Sequence, residues 1–105
     1  NAIPSALVLA STVMGHVAEK LSTKVATVIT TRDTDMALQV EKDDDEMDEL
    51  HKKVIIGITN GGGAISIESA IDLTLLGRYY ERFADHAVAV ARRVYFLVKG
   101  EFPQS

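Results

Sequence analysis

The chain has 105 residues, 47% of them hydrophobic and 25% charged, with a net charge of −4 at neutral pH, a size and mix that suit one soluble globular domain with a buried core. The acid excess argues against nucleic acid as a partner, and the lack of cysteine removes disulfides, thiolate metal sites and cysteine nucleophiles while matching a reducing cytosol. No apolar run reaches the ~18 clean residues of a membrane span, no secretory leader is read at the start, and an opening Asn in place of Met suggests a fragment or a processed product.

From Ser5 to about Thr30, Leu7, Ala10, Met14, Val17, Leu21 and Val28 recur with heptad-like spacing and predict a long helix with one apolar stripe. Val25 and Ile29 widen that stripe, while His16, Lys20 and Lys24 line another face. Residues 30–33, Thr-Thr-Arg-Asp, interrupt the pattern. Asp33 suits the N-cap of a second helix, because its short side-chain oxygen accepts an orphan backbone N–H. Met36, Val40, Met47, Leu50, Val54 and Ile58 then carry the stripe to about Thr59.

The stretch TNGGGA at 59–64 is the strongest breaker in the chain and reads as a turn. No Lys-Ser/Thr follows it and no strand precedes it, so it does not qualify as a phosphate cradle. A third helix follows, with an expected stripe of Ile65, Ser69, Asp72, Leu76, Tyr80, Phe83, Ala87, Val90, Val94 and Leu97, ended by Gly100 and Pro103. Helices of roughly 40 to 50 Å joined by short links predict an all-α, antiparallel up-down-up three-helix bundle over residues 1–105. Gly15, Gly57 and Gly77 fall inside helices, where each costs up to about 1 kcal/mol relative to Ala, and mark places where helices approach closely.

Residues 41–49, Glu-Lys-Asp-Asp-Asp-Glu-Met-Asp-Glu, hold seven of the fifteen acidic residues. A solvated face is the ordinary explanation of such a run. On a helical wheel, however, Asp44 lies about 60° from Met47 and Asp48 about 100°, beside the core seam. A carboxylate pair one turn apart repels unless something positive sits with it. Glu81 and Asp85 repeat the spacing on the third helix, although the wheel puts them about 140° and 180° from Leu76, on its polar side and not obviously aimed at Asp44. Four carboxylates without cysteine form an oxygen ligand set for divalent or trivalent metal ions, and suit Mg, Ca, Mn or iron ahead of zinc. The competing explanation is a lattice of surface salt bridges from Arg78, Arg82, Arg92 and Arg93. His51 and His86 read as packing residues. Asp48-x-x-His51 has a faint likeness to the Glu-x-x-His pairs of di-iron bundles, without the longer acid or a second copy. No Ser or Thr stands beside a base, so hydrolytic catalysis has no support and the chain does not read as an enzyme.

Two segments, VEKDDDEMDELH at 40–51 and LGRYYERFADHAVAVARRVYFLVKGE at 76–101, resemble the two signature helices of the PhoU family, regulators of phosphate uptake. The Arg-Tyr-Tyr-Glu-Arg-Phe-Ala-Asp-His-Ala core of the second is the more specific. The resemblance implies a three-helix unit that normally occurs twice in tandem, so that this chain is one half of a longer protein or forms a homodimer. It implies metal binding on the surface through Asp44 with Asp48 and Glu81 with Asp85. It further implies a non-catalytic cytoplasmic regulator, at most peripheral to the membrane, whose partners are the phosphate ABC transporter and a phosphate-sensing histidine kinase. Two other classes stay open: a metal-free helical interaction module, and a di-metal carboxylate redox protein.

Overall fold

The computed structural model describes residues 5–61 and 65–103. Three helices account for most of them: α1 (Ser5–Thr31), α2 (Thr34–Gly61) and α3 (Ile67–Lys99). The bounds fall within two residues of those expected. Thr59, Asn60 and Gly61 extend the last turn of α2, and the remainder of the expected glycine turn, residues 62–64, lies outside the described residues, as does 1–4.

Local chemistry sets the helix ends. Arg32 takes a left-handed backbone (φ 59°) and its N–H bonds to the Val28 carbonyl at 2.8 Å, closing the end of α1. Asp33 caps α2 as expected, its Oδ1 accepting the Met36 N–H at 3.1 Å. At the start of α3 the Ser66 hydroxyl accepts the Ser69 N–H at 3.1 Å. At its end Gly100 adopts φ 79° and donates to the Phe96 carbonyl at 2.8 Å, a conformation in which a Cβ would be strained.

The helices run side by side in a rod of 52 × 22 × 17 Å. Gly57 meets Leu7 while Glu46 meets Lys20, which makes α1 and α2 antiparallel. His51 meets Glu81 and Glu41 meets Arg92, so α2 and α3 are antiparallel as well. One cluster of buried side chains joins all three. Its central layers repeat every seven residues: Met14, Leu21 and Val28 from α1, Val40, Met47 and Val54 from α2, and Gly77, Ala84 and Ala91 from α3. The small residues of α3 let its backbone come close to both neighbours. Close approach is indeed the role of the helical glycines, since a Cβ on Gly15 would lie 3.2 Å from the Tyr80 hydroxyl, one on Gly57 would meet Leu7, and one on Gly77 would lie 2.7 Å from His51 Cδ2.

The stripe expected for α3 needs correction. Leu76, Val90 and Leu97 are exposed, and the buried positions are Leu73, Gly77, Ala84, Ala87 and Ala91. The large apolar residues 76, 83, 90 and 97 also repeat every seven, one residue ahead of the true seam, which corresponds to a rotation of about 100°. Size drew the expectation to the wrong heptad. Among the described residues no helix is long and apolar enough to cross a membrane.

Candidate metal centre

The two flanks of the α2 seam hold neighbouring acids that are treated differently. Asp43 lies about 40° from Met47 on the α1 side and is 8% exposed. Lys24 Nζ reaches its Oδ2 at 2.9 Å and Lys20 Nζ its Oδ1 at 3.6 Å. Oδ2 accepts no hydrogen bond, so the Lys24 contact is an ion pair lying off the hydrogen-bond direction. Lys20 also donates to Glu46 at 3.0 Å, and that bond raises its pKa above the ordinary value. Asp43 was not singled out in the sequence. The available sign was Lys20 and Lys24 one turn apart on α1, which need an acid opposite.

Asp44, Asp48 and His51 occupy the other flank, towards α3. There the corrected seam changes the position of Glu81 and Asp85. Measured from Ala84 they sit about 60° and 100° around α3, on the side that faces α2. The expectation that they lie on the polar side, not obviously aimed at Asp44, needs correction for the same reason as the stripe: Glu81 is half-buried towards α2, and Asp85, though exposed, acts on Asp44 across the groove. Gly77 admits the His51 ring against the α3 backbone, and His51 Nδ1 lies 3.5 Å from Glu81 Oε1, with both side chains about one-fifth exposed. His51 Nε2 and Glu81 Oε1 are buried without a hydrogen-bond partner.

Asp44 and Glu81 each feel carboxylates of the opposite helix across this groove. Burial raises the pKa of Asp44, and the charges of Asp85, Asp45, Asp48 and Glu41 raise it further. Glu81 is raised by burial first, then by Asp48, Asp44 and Asp85, with Lys52 opposing. Each of the two acids thus feels both [Glu/Asp]-x-x-x-Asp pairs. Asp48, 52% exposed, is met by Lys52 at 3.3 Å. The expected arginine lattice is confined to one contact, Arg92 with Glu41 at 3.0 Å; no arginine pairs with Glu81 or Asp85 among the described residues. Nor do three or more Asp, Glu, His or Cys side chains converge among the described residues as a ready cage for a metal ion. The groove therefore offers a concentration of negative oxygen, raised in energy by burial, in which a hard cation would keep part of its water shell.

Residues 12–94 match the family described as the PhoU domain. The chain belongs to the PhoU domain family. Among similar proteins, this PhoU domain is 45% identical over 91 residues to the phosphate-specific transport system accessory protein PhoU homolog 1 of Mycobacterium leprae, a match covering 87% of this chain and 41% of that protein. It is 43% identical over 90 residues to PhoU homolog 2 of Mycobacterium bovis, covering 86% and 42% respectively. PhoU homolog 1 of Methanothermobacter thermautotrophicus is 31% identical over 71 residues. The chain spans about two fifths of the length of the mycobacterial relatives it matches. No solved structure gives a significant match.

Proposed function

We propose that this PhoU domain works in the regulation of phosphate uptake as a non-catalytic, metal-binding adaptor in the cytoplasm. Its partners in this reading are the phosphate ABC transporter and a phosphate-sensing histidine kinase, and a second three-helix unit, in the same protein or in a homodimer, stands beside it. Relatives named as phosphate-specific transport system accessory proteins support the phosphate role.

The observation that carries metal binding is the α2/α3 groove, where Asp44 and Glu81 are partly buried, each raised by burial and by carboxylates of the opposite helix, and neither paired with an arginine among the described residues. Carboxylates held in this state are stabilised by a bound cation, which replaces lost hydration and cancels the repulsion. Asp44, Asp48, Glu81 and Asp85 would hold the ion, whose charge would supply electrostatic cross-linking of α2 and α3.

The test is elemental analysis of the protein after incubation with Mn(II) or Fe(III) and desalting, beside Asp44→Ala/Glu81→Ala. The wild type should retain metal and the double variant should lose it while keeping the helical circular dichroism of the bundle. A wild type that retains no metal under any loading condition ends this reading. A metal-free interaction module is the second reading, favoured by the lack of a converged ligand cage among the described residues; it requires that EDTA leave the melting temperature unchanged.

A further inference from the structure

The face of α3 that looks away from both neighbours carries unmatched charge of the opposite sign. Arg78 and Arg82 stand one turn apart, and although the chain has more acids than bases, neither makes an ion pair among the described residues. Glu81 and Asp85 are close in sequence to both, but Glu81 is half-buried beside His51 of α2, and neither acid comes within ion-pair distance of Arg78 or Arg82 among the described residues. Like charges at this spacing repel by a few tenths of a kcal/mol, so the pair gains from an anionic partner.

The arginines do not stand on a polar surface. Together with Leu75, Tyr79, Phe83 and His86 they line an open cleft of about 510 Å³. Leu75 is 61% exposed and Tyr79 64%, on a face that a solvated bundle helix would fill with charged and polar groups. Tyr79 is held in place: its ring packs edge-on against Tyr80 at 5.7 Å between centroids, and Tyr80 is anchored over Gly15 of α1. Exposed, pre-positioned Tyr and Arg beside aliphatic side chains make the composition of a protein-binding hot spot.

We infer that this face docks an acidic amphipathic polypeptide segment of a partner protein, with carboxylates on Arg78 and Arg82 and an apolar side chain between Leu75, Tyr79 and Phe83. The acids of α2 decide against a flat anionic membrane. α2 lies about 10 Å from α3, its exposed Asp45, Asp48 and Glu49 would come within a Debye length of any plane that α3 lay on, and only a narrow ligand meets the arginines alone. An inorganic oxyanion leaves the apolar wall without a function. Arg82 lies about 100° around α3 from Glu81, whereas Arg78 lies about 60° from Glu81 and about 20° from Asp85, so the cleft borders the proposed metal site but shares no residue with it.

Fluorescence anisotropy with a fluorescein-labelled, alanine-based helical peptide carrying paired Glu residues around one Leu tests it, with the same peptide bearing Gln for Glu as control. The acidic peptide should bind at least about tenfold more tightly than the control and weaken as salt rises. Arg78→Gln/Arg82→Gln should cost about tenfold or more without moving the melting temperature, and Tyr79→Ser should weaken both peptides. Equal affinity for the two peptides, or an unaffected double variant, overturns the inference. So does binding confined to phosphatidylglycerol vesicles or inorganic phosphate, or self-association abolished by the double variant, which would make the occupant a second copy.

Discussion

The groove between α2 and α3 predicts that the protein without metal becomes more stable when its own site is weakened. Asp44→Asn/Glu81→Gln removes two charges, one from each pair of carboxylates a turn apart, and lowers the desolvation borne by the two acids whose pKa burial has raised. Relieving two like-charge pairs at i,i+4 gives a few tenths of a kcal/mol each, and the cross-groove repulsion adds a similar amount, for about 1 kcal/mol in all. For a domain of this size that is about 4 °C in melting temperature. Divalent metal should reverse the order. At a concentration about a hundred times the dissociation constant, binding to the folded state alone adds about 2.7 kcal/mol, or about 10 °C, to the wild type and nothing to the variant.

The pH dependence has a definite sign. Both carboxyl groups hold protons more tightly folded than unfolded, so folding takes up protons between the ordinary values, 3.8 for Asp44 and 4.5 for Glu81, and the raised ones. Their contribution to stability is present in full below the ordinary values and is lost as pH rises through the raised ones. Differential scanning calorimetry in EDTA should therefore show the wild type gaining on the double variant as pH falls from neutrality towards those values. With Mn(II) present the trend inverts, because protons compete with the metal for the same oxygens. A double variant less stable than the wild type in EDTA, or a stability difference between them that does not change with pH, would refute the reasoning.

Two further predictions concern the scaffold. Asp43→Ala leaves Lys20 and Lys24 facing a buried gap in place of an acid at 2.9 and 3.6 Å; urea denaturation should show a loss of about 1 to 3 kcal/mol, and a change under about 0.5 kcal/mol would mean that the pair is a surface ornament. Gly77→Ala gains up to about 1 kcal/mol of helix propensity but puts a Cβ 2.7 Å from His51 Cδ2, so it should be net destabilising by about 1 to 2 kcal/mol. In a His51→Ala background the same substitution should become neutral or stabilising, and strict additivity of the two in a double-mutant cycle would count against the contact.

Most of the scaffold was legible in the sequence because its signals are local. A heptad of large apolar residues, an Asp one turn before a Met and a Gly after a run of thirty helical residues need no tertiary information. The phase of α3 was not legible in the same way. Two heptads run along that helix one residue apart, Leu76/Phe83/Val90/Leu97 and Gly77/Ala84/Ala91, and hydrophobicity favours the first. The second is buried because backbone proximity, not side-chain size, sets the α3 contacts: Gly77 admits His51, and Ala84 and Ala91 are fully buried. An apolar stripe on one helix is only a candidate until the partner helices' own stripes are fitted to it, and here α1 and α2 already supply Met14, Leu21, Met47 and Val54, leaving room for little more than a methyl group. Of the large residues in the first heptad, Phe83 packs partly against the core and also lines the cleft proposed to bind a partner.

The candidate site followed from the same phase. Spacing alone singled out Asp44, Asp48, Glu81 and Asp85, but whether two pairs share a groove depends on which way each helix is rotated, and that information resides in the packing. Asp43 and Asp44 make the point on adjacent residues. They have the same side chain and the same intrinsic acidity; one turns towards α1, where Lys20 and Lys24 neutralise it, and the other towards α3, where burial and further carboxylates raise its pKa. A run of acids selected only for solubility would have no reason to be matched on one flank and left frustrated on the other. The α3-facing flank has His51 beside Glu81 and Lys52 beside Asp48 but no cation against Asp44, which is why the cation site is proposed in the groove and not along the acidic run as a whole.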